Sequence, residues 1–83
     1  MYERRPRATA TPDRIREFVY NAIHTARRAR GIYAVVDVPQ PLFQADDVEG
    51  CNWHMRSLRA AAGYEATIRK AINMARARFN LTD

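Results

Sequence analysis

Between Thr11 and Gly31 the chain has little freedom: Ile15, Phe18, Val19, Ala22, Ile23, Ala26 and Ala29 recur at the three-and-four spacing of one helical stripe. Both ends of the run carry helix-end chemistry. Thr11 offers an N-cap hydroxyl, Pro12 suits the first helical position, and Asp13 opposes the positive end of the helix dipole. Arg27, Arg28 and Arg30 gather at the negative end, before a Gly31 free to take the left-handed C-terminal conformation. Such a helix must bury its stripe, so the rest of the chain has to supply an apolar surface for it.

Two kinds of segment offer one. The stretch "IYAVVDV", residues 32–38, is β-branched and aromatic, too short for a helix and closed by "PQP", which predicts a strand. Its faces are Ile32, Ala34, Val36 and Val38 against Tyr33, Val35 and Asp37. A second strand is expected over about 50–57, with Cys51, Trp53 and Met55 on one face and Asn52, His54 and Arg56 on the other. Further on, Tyr64, Ile68, Ala71, Ile72, Ala75 and Phe79 predict a second amphipathic helix over roughly 62–80, with Glu65 and Arg69 four apart and Asn80 as terminator. The expected fold class is α+β in the order α-β-β-α. Two helices pack on one face of a short antiparallel sheet, and a third short strand at 42–46 is the open alternative. So small a sheet leaves unpaired edges, through which a homodimer could form.

Residues 1–10 carry Arg4, Arg5 and Arg7 without apolar periodicity and read as a flexible basic arm; 11–83 read as one domain. With 83 residues in all, a single domain removes only about 60% of its unfolded surface from water, leaving little room for a deep pocket. The 47% apolar content is enough for a core. A lone Cys51 makes no intramolecular disulfide, and no apolar segment suits a signal peptide or a membrane span, so a host cell's cytosol is the expected setting.

The stretch "DDVEGCNWH", residues 46–54, concentrates three carboxylates, the only cysteine, the only tryptophan and one of two histidines. On a strand Cys51 and His54 face opposite sides, which disfavours a shared metal, and neither a CxxC nor an HxxxH accompanies them. Nothing pairs Cys51 with a base, so it reads as a buried thiol. Trp53 reads as a core anchor. Asp46, Asp47 and Glu49 precede a glycine, as solvated turn carboxylates do, and double as an acidic contact loop. No catalytic residue, metal or cofactor follows from these residues, and no enzyme is expected.

The basic residues carry the functional reading. Net charge is +5, and 13 of the 14 basic residues are arginine, whose planar fork binds phosphate or carboxylate through two bonds. The base composition of a coding sequence biases the same ratio. Arg69 and Arg76, seven apart, with Lys70 and Arg78 beside them, form an expected exposed row on the second helix. Arg16, Arg27 and Arg30 form another on the first, with Tyr20 on the same side. With the arm they outline a surface for nucleic acid or for a protein that handles it. No RNA-binding aromatic motif, helix-turn-helix spacing, zinc finger or nucleotide-binding glycine loop is present.

In its small size, Arg- and Ala-rich composition, single α+β domain and lack of a catalytic signature, the chain resembles the compact proteins of phages and mobile elements, the anti-CRISPR inhibitors among them. The resemblance implies a non-enzymatic inhibitor that blocks a nucleic-acid-processing effector by occupying the surface of one protein subunit. Direct DNA or RNA binding by a small regulator is the alternative.

Overall fold

The computed structural model describes residues 7–33, 35–56 and 65–82. In chain order its elements are β1 (Ala8–Ala10), α1 (Pro12–Arg28), β2 (Leu42–Phe43), β3 (Trp53–His54), α2 (Glu65–Arg78) and β4 (Phe79–Leu81). This is an α+β fold in which the two helices pack together and two separate two-stranded ladders complete the molecule.

Helix α1 begins and ends as its sequence dictates. The Thr11 hydroxyl accepts from the Arg14 N–H at 3.3 Å, Pro12 opens the helix, and Gly31 has φ of +75° just beyond the C-cap. Ile15, Val19 and Ile23 are completely buried, each contributing roughly 1.5–3 kcal/mol of transfer free energy. The buried stripe continues through His24 and Arg27, whereas Ala26 and Ala29 are exposed. Ile68, Ala71 and Ala75 of α2, Val36, Val38, Cys51, Trp53, Ala10 and Leu81 close the core.

Among its described residues, the segment 32–38 keeps the predicted alternation but forms no ladder. Val36 and Val38 are buried; Tyr33, Val35 and Asp37 are exposed; Ala34 lies outside the described residues. The reason is that α1 side chains stand where a partner strand would. His24 Nε2 accepts from the Val36 N–H at 2.9 Å, and Arg16 Nε donates to the Val38 carbonyl at 2.7 Å. The expected strand over 50–57 shrinks to Trp53–His54, and its antiparallel partner is Leu42–Phe43, within the alternative third strand, rather than 32–38.

The ends of the domain differ most from expectation. Residues 8–10, read as part of a loose arm, pair in parallel with 79–81, read as the end of the second helix. Ala10 and Leu81 are buried there, so two short apolar segments reward pairing that neither signals by length. The far edge of β4 is occupied by side chains. Asn52 exchanges two hydrogen bonds with the Leu81 backbone, and the Trp53 indole N–H donates to the Phe79 carbonyl at 3.0 Å. This edge is therefore closed to self-pairing. Arg4, Arg5, Ser57 and Tyr64 lie outside the described residues.

Candidate functional site

One of the carboxylates singled out by sequence, Asp47, meets two of the arginines, Arg7 and Arg76, in a partly buried network. Asp47 turns the chain: its Oδ1 accepts from the Glu49 and Cys51 N–H groups, its carbonyl accepts from Gly50 N–H, and Gly50 has φ of +82°. Its Oδ2 receives Arg76, which also donates to the Trp53 carbonyl and lies 5.8 Å from the Trp53 ring. Arg7 then donates to the carbonyls of Arg76 and Glu49. The Cys51 N–H is the strongest of the contacts that hold the Asp47 carboxyl below its ordinary range, helped by the Glu49 N–H and the charges of Arg76 and Arg7, against partial desolvation.

The predicted contact residues fall into different settings, Asp47 and Arg76 inside this network and Arg16 exposed with its Nε bonded to backbone. Arg76 is half-buried and spent on Asp47 and Trp53, so the Arg69/Arg76 row is not an exposed row. Arg27 lies inside the buried stripe of α1, one turn beyond Ile23. Arg16 reaches Val38, and Tyr20 is half-buried with its ring stacked on His24 at 3.9 Å. Of the acidic loop, Asp47 is engaged internally while Asp46 and Glu49 have exposed side chains. Arg30, Arg69 and Lys70 do stand on the surface.

His24 is held between two backbone groups: Nδ1 lies 2.7 Å from the Tyr20 carbonyl and Nε2 accepts from the Val36 N–H. The buried Cys51 thiol lies 3.5 Å from the Trp53 carbonyl. Among the described residues no three His, Cys, Asp or Glu side chains converge as metal ligands. Nor is any described helix long and apolar enough to cross a membrane.

Among the described residues a groove of about 830 Å³ runs between α1 and α2. Its floor is apolar and shallow-sided: Phe18, Ala22 and Ala26 of α1 face Ala71 and Met74 of α2. Four cations, Arg14, Arg30, Lys70 and Arg78, stand around it against one acid, Glu17. A smaller hollow of about 480 Å³, lined by Arg69, Lys70, Met74 and Ala77, adjoins it along α2. Arg78 lies 5.3 Å over the Phe18 ring, whose edge meets Phe79, so the C-terminal end of α2 is seated on the first half of α1. Of the rim, sequence reading singled out Arg30, Lys70 and Arg78 and missed Arg14. The missed signal is alanine at 22, 26 and 71: side chains this small on facing helices cannot fill the seam between them.

Compared with known proteins, the chain matches no family model, no curated protein and no solved structure.

Proposed function

We propose that the chain is a non-enzymatic binding protein that inhibits a nucleic-acid-processing effector of the CRISPR type by occupying the surface of one of its protein subunits. The groove between α1 and α2 carries this reading: it joins an apolar floor to a cationic rim, the combination with which a protein surface is bound and desolvated. The groups that could have served chemistry support it as well. Asp47, His24 and Arg76 spend polar atoms on backbone groups, and Asp47 and Arg76 also on each other.

The test is titration of the full chain into a panel of purified CRISPR effector complexes, reading target cleavage and complex mass by light scattering. Loss of cleavage at a stoichiometric ratio, with a mass gain that survives moderate salt, is the expected result. No gain with any effector would end the proposal.

The exposed cations also favour a second reading, direct binding to DNA or RNA. Naked duplex would then bind at low salt and be released steeply as salt rises.

A further inference from the structure

The groove has a direction as well as a charge. Its α1 wall runs through Arg14, Phe18, Ala22, Ala26 and Arg30, one side of the helix followed to just past its end. At ~1.5 Å per residue that wall is about 24 Å long, or roughly four helical turns. Cations stand at both ends and on the rim between: Arg14 at one end, Arg30 at the other, and Lys70 and Arg78 from α2. The floor is built of alanines, a half-buried Phe18 and a Met74 that is 39% exposed, an adaptable surface that accepts several aliphatic side chains.

Nucleic acid fits this arrangement poorly. Phosphates gain nothing from an apolar floor, and Phe18, the aromatic ring among its lining residues, already has Arg78 over it and a T-shaped contact with Phe79. A helix with aliphatic residues on one face and carboxylates beside them matches both the floor and the rim.

We infer that the α1/α2 groove is the docking site for an acidic amphipathic helix of the partner protein. That helix is about four turns long, with aliphatic anchors on Ala22, Ala26, Ala71 and Met74 and carboxylates paired with Arg14, Arg30, Lys70 and Arg78. The inference rests on the reading of the chain as a binding protein and names the kind of surface it binds.

The probe is a fluorescein-labelled peptide of about 18 residues, with leucines at helical three-and-four spacing and glutamates on the flanks, titrated with the full chain and read by anisotropy. Two control peptides keep the composition: one scrambles the spacing, the other replaces glutamate by lysine. Saturable binding of the acidic amphipathic peptide, at least about tenfold tighter than either control, is expected. It should weaken about tenfold in the double variant Arg30→Glu/Lys70→Glu and also in Met74→Glu, but not in Arg28→Glu, an exposed residue outside the groove. Melting curves of each variant check that the fold survives.

Equal binding of the scrambled peptide, equal weakening by Arg28→Glu, or tighter binding of duplex DNA or of anionic phospholipid vesicles would overturn the assignment. Peptide binding without inhibition of any effector would overturn the proposed function alone. Effector inhibition indifferent to the double variant, with no peptide bound, would overturn the groove alone.

Discussion

Asp47 shows how much one side chain holds here: it takes two backbone N–H groups on one oxygen and Arg76 on the other, from a position 29 residues away. Its folded carboxyl titrates below the ordinary value of about 3.9, so its contribution is complete above that pH and is lost as the pH falls through the lowered value. Asp47→Asn should therefore melt below the wild type at neutral pH, and the gap should narrow as the pH is taken below about 4. Melting curves across that range check it, and a gap independent of pH would sink it. His24→Leu strands the buried Val36 N–H and should lower stability by about 1–3 kcal/mol in urea titration. Trp53→Ala should cost about 3–5 kcal/mol, a large fraction of what so small a domain has. At this scale the sequence was readable for Trp53, Cys51 and the turn at Asp47, whose roles follow from residue type and near neighbours. Arg76 was not readable, because its partners lie far off in the chain and an arginine on a helix gives no local sign of which way it points.

Helix α1 was legible from cap to final glycine, since its signals all lie within its own length. The segment 32–38 was legible by half. Its alternation of buried and exposed side chains is a property of the segment, but the groups that bond its backbone belong to α1. Least legible were β1 and β4, each three residues long, where pairing is decided by the other strand. A loose arm could be cut away without effect, whereas removal of residues 1–10 here takes the ladder, the buried Ala10 and the Arg7 contacts with it. The deletion should lower the melting temperature by about 10 °C, corresponding to roughly 2 kcal/mol. An unchanged melting temperature would show that β1 adds nothing to stability.

At the scale of the whole molecule, basic residues among those described divide into ones that hold the fold and ones that face outward. Arg7, Arg16 and Arg76 donate to internal carbonyls, while Arg14, Arg30, Lys70 and Arg78 surround the groove. The division predicts two separable phenotypes. Arg76→Ala should lower the melting temperature, because it leaves Asp47 without its guanidinium partner. Arg30→Glu/Lys70→Glu should leave melting nearly unchanged and weaken partner binding, which calorimetry on the same preparations would separate. The groove itself was only partly legible: its cations stand in plain view in the sequence, but a seam exists only when two helices are set side by side.

The parallel ladder of 8–10 with 79–81 also has a consequence in time. A strand made early in synthesis waits for one made some seventy residues later, so the last closure must overcome the entropy of joining nearly the whole described chain into one loop. Until residue 81 is available, Ala10 lacks the strand it pairs with and the core lacks Leu81. A ribosome stalled before that point would carry a chain whose first strand has nothing to pair with.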